Sequence, residues 1–428
     1  MSKGHKVSVF EVKLPLPNKE VELAGYFPAR QWDGTGDDIR AAFILFESET
    51  DDKILFMSLD VLYIDTSFKD DLSSKLGNDY SLILVATHTH SAPNLAKSVE
   101  SLGHVDQAWY EQVLETLVTG IKTTTNKSDV DQIKAGVLSS NLNVNRRRDA
   151  LMLDYGALKH GSFKLGRKVA LAPNSKGPID NHVRSICFSD MSGTVRACLW
   201  SFSAHPTFEG LGGLSQKISP DFPGIVRRRI KAEYGKDCVS LFLPGLAGSA
   251  ILKCKTKSIL KMSQKERLLY LLPLHPSIPP FDSVAYQAWA DKLASQVIDA
   301  PSRSESSMLD NLVVTHRSSD RVPIFEDKTR GEIYWGVNAL LIGDVAAVIV
   351  GNGEMLAEWK PVIGRLLANS AQSIISGYGA GDCLYVPPDG EISRGGYEVE
   401  GFKSLFGLNG DFYSGIDSKV LASLKQVL

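Results

Sequence analysis

Apolar runs in this chain come in two kinds, and each predicts a different element. Runs of roughly four to eight residues between turn residues read as buried strands. Ala41–Phe46 and Lys53–Asp60 are two of these, separated by the acidic stretch Glu47–Asp52; Leu82–Ala86 and Ile133–Leu138 follow. Val183–Phe188 and Val195–Phe202 flank Asp190-Met191-Ser192-Gly193 and predict a hairpin. Cys238–Leu243 is another buried strand, Ile342–Val350 a strand pair or one bent strand, and Ser373–Ser376 a short strand before a Gly/Pro-rich tail. Spacings of three and four govern Asp106–Lys122 instead, where Val113, Leu114, Leu117, Val118 and Ile121 share one helical face. Helices are also predicted over Pro223–Tyr234, with its proline near the start and a basic outer face, over Ser283–Ile298 and over Glu358–Asn369. This alternation predicts an α/β protein: one domain over 1–428, with a large mixed β-sheet flanked by helices. The stretch 253–301, lysine-rich at its start with Pro276, Pro279 and Pro280 further on, reads as an insertion or lid within that domain.

Three of the strands run into residues with metal-binding chemistry. Leu82–Ala86 continues into Thr87-His88-Thr89-His90-Ser91-Ala92-Pro93. If the strand continued, His88 and His90 would share a face about 7 Å apart. Val195–Phe202 leads to His205, and Ile342–Val350 leads to Glu354. Functional groups of α/β sheets gather at the carboxyl ends of strands. Two or three histidines with a carboxylate can satisfy zinc and leave a position for water. Each residue alone has a structural use. His88 or His90 could cap its strand, His205 before Pro206 could be a turn histidine, and Glu354 could cap a helix. The repeated placement favours a metal site at the strand ends.

Composition narrows the partners. Of 428 residues, 22% are charged and 43% hydrophobic, and the net charge of −2 provides no global basic field for nucleic acid or anionic membrane. Local basic runs, Arg146-Arg147-Arg148 and Arg227-Arg228-Arg229, are left open. The five cysteines are odd in number and form no Cys-x-x-Cys, which argues against a disulfide framework and a thiolate zinc site. No apolar stretch reaches membrane-spanning length, and no apolar signal region follows Met1–Lys6, so a cytoplasmic location is expected.

Several motifs, in order, resemble those of the neutral/alkaline non-lysosomal ceramidase family. Ala86-Thr87-His88-Thr89-His90-Ser91-Ala92-Pro93 is close to the family's Thr-His-Thr-His-Ser-Gly-Pro and is the most specific match. Leu23-Ala24-Gly25-Tyr26, Ser58-Leu59-Asp60, Val144-Asn145-Arg146, Ala204-His205, Ser219–Gly224, Gly353-Glu354, Tyr385, Tyr397-Glu398 and Ser404–Gly407 resemble further family segments. The resemblance implies zinc held by His88, His205, Glu354 and Tyr385. It also implies that His90 assists in the cleft, and that Arg146 and Tyr397 contact the scissile amide or its oxyanion. Tyrosine is an unusual zinc ligand, since its phenol has an ordinary pKa of about 10; the alternative for Tyr385 is packing beside Pro387 and Pro388. Two features depart from the family. Ala247-Gly248-Ser249-Ala250-Ile251 lacks the family's proline and sets Ser249 out of register, and the chain ends soon after Ser404–Gly407, without a match to the family's C-terminal β-sandwich. The expected function is zinc-dependent hydrolysis of an amide in an N-acylated small molecule or lipid by metal-activated water. A short-chain or polar substrate is expected over ceramide, because the only obvious apolar lining outside the sheet is Leu268–Leu274 with Ile278 and Phe281, and most of these residues are expected to pack into the core. The alternatives are a zinc hydrolase of an ester or phosphoester, and a non-catalytic binding protein on the same fold.

Overall fold

The computed structural model describes residues 6–17, 20–48, 52–124, 130–153, 165–208, 215–258, 260, 262, 264, 267, 276–278, 280–303, 305–309, 312–364, 366 and 373–428. Two sheets face each other. The larger has eight strands, in the order Lys6–Lys13, Arg40–Glu47, Lys53–Leu59, Tyr80–Ala86, Ile374–Gly379, Ala346–Asn352, Val337–Ile342 and Val314–Ser318. The other has five, in the order Val239–Pro244, Val195–Phe202, His182–Ser189, Gln132–Ser139 and Ser307–Met308. Both mix parallel and antiparallel pairs.

Side-chain alternation explains the layering. In Arg40–Glu47, Ala42, Ile44 and Phe46 point at the second sheet and meet Ile133, Ile186, Leu199 and Leu241. Ala41, Phe43 and Leu45 point the other way, onto Phe68 and Leu72 of the helix Thr66–Leu76 and Trp109 and Val113 of the helix Gln107–Thr124. The far face of the five-stranded sheet, with Cys198, Trp200 and Phe242, is covered by the helices Phe222–Tyr234 and Ser283–Asp299. The result is helix–sheet–sheet–helix, the predicted mixed sheet between helices with a second sheet added. Of the stretch 253–301, the helix Ser283–Asp299 is part of a packed layer, burying Tyr286, Trp289 and Leu293. Leu268–Leu274 lies outside the described residues.

The larger sheet has a seam. Tyr80–Ala86 and Ile374–Gly379 are joined by one residue pair, Val85 opposite Gly379, supported by the Ala380 N–H donating to Leu84 O at 2.9 Å. The two halves therefore meet at the carboxyl ends of these strands.

Some expectations need correction. The Ile342–Val350 segment is the second half of a hairpin, Val337–Ile342 against Ala346–Asn352, because Gly343 turns the chain with φ 52°. The helix from Glu358 is short, Trp359–Ile363, and 365 and 367–372 lie outside the described residues. The tail holds the helix Ile416–Val427, buried through Ile416, Val420 and Leu424. The arginine runs are only partly open, since Arg148, Arg228 and Arg229 are exposed and the rest are not. Arg146 and Arg147 are buried in ion pairs, and Arg227 is buried against Asp60 at 2.8 Å. All five cysteines are free thiols. Among the described residues no helix is long and apolar enough to cross a membrane.

Candidate metal centre

The strand Tyr80–Ala86 ends before the histidines, so alternation along a strand does not place them as expected. Past Ala86 the Thr87 N–H donates to Leu59 O and the His88 N–H to Val61 O, and His88 turns into the left-handed region with φ 63°. That conformation costs about 1–3 kcal/mol for a residue other than glycine. It swings the imidazoles together instead of leaving them 7 Å apart, with His88 and His90 Nε2 separated by 3.2 Å. His205 arrives from the other sheet, three residues beyond Val195–Phe202. Glu354 follows Ala346–Asn352 and pairs in a two-strand parallel ladder with Tyr385, which puts the two side chains beside each other.

Each imidazole is tied by the nitrogen remote from the centre. His88 Nδ1 meets Leu62 O at 2.9 Å, His90 Nδ1 meets Gly25 O at 3.0 Å, and His205 Nδ1 meets Ala247 O at 2.7 Å. A carbonyl only accepts, so each Nδ1 carries the proton and each Nε2 presents a bare lone pair. Burial, joined by the neighbouring histidines or Arg146, holds all three rings well below the ordinary histidine pKa, so they are neutral. Glu354 Oε2 lies 3.5 Å from His88 Nε2 and 3.1 Å from His205 Nε2. Despite that proximity His205 Nε2 makes no hydrogen bond, which leaves its lone pair unused.

This concentration of lone pairs tests the fit of a cation. The ligand nitrogens of His88, His90 and His205 lie within 4.8 Å of one another. The separations of 3.1 and 3.5 Å from Glu354 Oε2 to His205 and His88 bracket the roughly 3.3 Å between donor atoms sharing one tetrahedral zinc. The donor set is imidazole and carboxylate, the backbone carbonyls orient the rings as second-layer acceptors, and the group could hold a metal ion.

Beside it stands a buried cationic group. Arg146 Nε donates to Glu398 Oε1 at 2.8 Å, and its Nη2 donates to Gly248 O at 2.8 Å and to the Tyr385 hydroxyl at 3.0 Å. Asp149, three residues further along the chain, pairs with Arg394 instead. Tyr397 packs 5.7 Å from Tyr385, and burial pushes its hydroxyl up to about 12. All seven residues singled out in the sequence thus fall in one region, His88, His90, His205 and Glu354 on one side and Arg146, Tyr385 and Tyr397 on the other.

Sequence reasoning missed Tyr63 and Tyr378, whose hydroxyls donate to Glu354, and Glu398, which binds both Arg146 and Arg147. The signal for the tyrosines was present: a phenol inside an apolar run must find a buried acceptor. Burial and the Glu354 charge hold both phenols well above 10, so they remain donors. Ser249 is buried next to Arg146: its carbonyl accepts from the Arg146 N–H at 2.8 Å, and its hydroxyl donates to Glu358 Oε2 at 2.5 Å.

No known family profile matches the chain, and no curated protein does. Solved structures do match. Over 99% of its length the chain superposes on 74% of the neutral ceramidase from Pseudomonas aeruginosa, with a TM-score of 0.71 and 14% identity. Over 95% of its length it superposes on 72% of a ceramidase complexed with C2, with a TM-score of 0.66 and 13% identity. At such identity the likeness establishes architecture, and the helix–sheet–sheet–helix arrangement is that of the neutral ceramidase fold.

Proposed function

We propose that this chain is a zinc-dependent hydrolase of an amide bond in an N-acylated small molecule or lipid. The observation that carries the reading is the convergence of three proton-free imidazole nitrogens and a carboxylate beside a buried arginine. His88, His205 and Glu354 would hold the ion, since Glu354 Oε2 sits against both Nε2 atoms, with Tyr385 next to Glu354 on the neighbouring strand. A bound zinc supplies Lewis acidity toward a carbonyl oxygen and acidifies water. His90 is the one half-buried imidazole of the three, and its neutral Nε2 can take a proton and pass it to the leaving amine. Arg146, fixed by Glu398 and Gly248 O, keeps its guanidinium at the site, where it and the Tyr397 hydroxyl would meet negative charge developing on the carbonyl oxygen. The substrate is a short-chain or polar N-acyl compound in preference to ceramide. In support, Phe281 packs with Phe208 against the apolar core beneath the helices Phe222–Tyr234 and Ser283–Asp299.

The test combines metal analysis with a substrate panel. Purified protein is expected to carry about one zinc per chain. His88→Ala and His205→Ala should each lose it, while His90→Ala should keep it and lose turnover. N-acyl amides of graded chain length, with matched esters and phosphoesters, should show amide cleavage with kcat/KM highest for the shorter acyl groups. A rise in kcat/KM up to long-chain ceramide would overturn the substrate assignment, and faster cleavage of the ester or phosphoester would overturn the bond assignment. Equal metal loss in His90→Ala and His88→Ala would make His90 a ligand.

A further inference from the structure

Glu354 is held by more than its strand. Tyr63 donates its hydroxyl to Glu354 Oε1, and Tyr378 donates to Oε2 at 3.4 Å. Both tyrosines are almost fully buried, at 3% and 1% exposure, so neither hydroxyl has water as an alternative. Both also grip the surrounding backbone. Tyr63 follows Leu62, whose carbonyl takes the His88 Nδ1 proton, so consecutive residues serve the histidine and the carboxylate. The Tyr378 N–H donates to Gly353 O at 2.8 Å, fixing the turn that carries Glu354. Tyr378 adopts φ 65°, and His88 and Tyr378 are two of the three non-glycine residues with positive φ among the described residues. Their rings lie 4.4 Å apart. Backbone strain at two touching residues persists only where the surroundings impose it.

We infer that Tyr63 and Tyr378 are positioning residues for Glu354, with Tyr63 occupying Oε1 so that Oε2 alone is presented to His88 and His205. A carboxylate free to rotate could face the imidazoles with either oxygen or both. With Oε1 engaged, it offers one donor atom at a fixed place, and a neighbouring position stays open for substrate. Phenols suit the task because they donate strongly, stay neutral and bring a rigid ring. The Tyr63 ring packs 5.1 Å from His88 and 6.0 Å from Phe406, so phenylalanine at this position keeps the packing and removes only the donor.

This inference rests on the metal reading above, and the experiment separates the two. Zinc affinity is measured by competition with a chromophoric chelator for the natural chain, Tyr63→Phe and Tyr378→Phe, each also melted without metal. Tyr63→Phe should bind zinc roughly ten- to a hundredfold more weakly with little change in the metal-free melting temperature. Tyr378→Phe, whose bond is longer, should weaken binding less. Equal affinity for Tyr63→Phe and the natural chain would overturn the positioning role and leave the metal site standing. No zinc binding by the natural chain would overturn both. Should Tyr63→Phe fail to fold, Tyr378→Phe decides, and unchanged affinity there counts against the inference.

Discussion

The Ser249 hydroxyl donates to Glu358 Oε2 at 2.5 Å and accepts from the Ala357 N–H at 2.8 Å. Fully buried and with both roles used, it is a structural link between the Gly248–Ser249 turn and the start of the helix Trp359–Ile363. Ser249→Ala should therefore keep kcat for an amide substrate within about threefold. It should lower stability by about 1–3 kcal/mol, since it strips a donor from a buried carboxylate whose pKa burial already raises. Denaturant melts and steady-state kinetics on the same preparation check both halves, and a trapped acyl group on Ser249 would overturn the assignment. Residue identity made the candidate metal donors legible, because histidine and glutamate beyond apolar strands have few other uses in such numbers. It did not reveal their partners. Tyr63 and Tyr378 look like core aromatics in one dimension, and Arg146 gave no hint that its counter-ion is Glu398, 252 positions away.

Among the elements, the turn around Gly25 has an effect out of proportion to its length. Gly25 takes φ 109°, its carbonyl receives the His90 Nδ1 proton, and a Cβ there would stand 2.5 Å from that nitrogen. Gly25→Ala must push the His90 ring aside while leaving His88, His205 and Glu354 untouched. Turnover should fall by roughly tenfold or more, in line with the cost of a small misplacement of a catalytic group. Zinc content should stay near that of the natural chain, and loss of zinc instead would show that the turn supports the whole centre. Most strands were legible because continuous apolar runs covered on both faces leave little else to form. The helix Thr66–Leu76 was not, since Phe68, Leu72 and Leu76 are its only buried residues, spread among charged and hydroxyl side chains. The antiparallel pair Asn143–Leu153 and Leu165–Asn174 escaped for a related reason, Asn143, Asn145, Arg146 and Arg147 being buried through ion pairs and hydrogen bonds instead of apolar contact.

For the whole molecule, the seam between Val85 and Gly379 sets an order of events. His88 and His90 follow a strand in one half of the larger sheet, Glu354 follows a strand of the other half and Tyr378 lies within one, and His205 follows a strand of the second sheet. Tyr63 and Glu354 are 291 positions apart, and the loop-closure cost of so distant a pair predicts that the contact closes late in folding. Contacts of such separation form late, because loop closure must be met before they contribute. Bound zinc should then act on one side of the folding barrier only, slowing escape from the native state without hastening arrival. Refolding followed by tryptophan fluorescence should run at the same rate, within about twofold, in zinc and in chelator. Unfolding in denaturant should be slower in zinc by the factor that its equilibrium stabilisation requires, about 2.7 kcal/mol at a hundredfold excess over the dissociation constant. If zinc speeds refolding as much as it slows unfolding, the centre is assembled early and the seam is not the last part of the molecule to close.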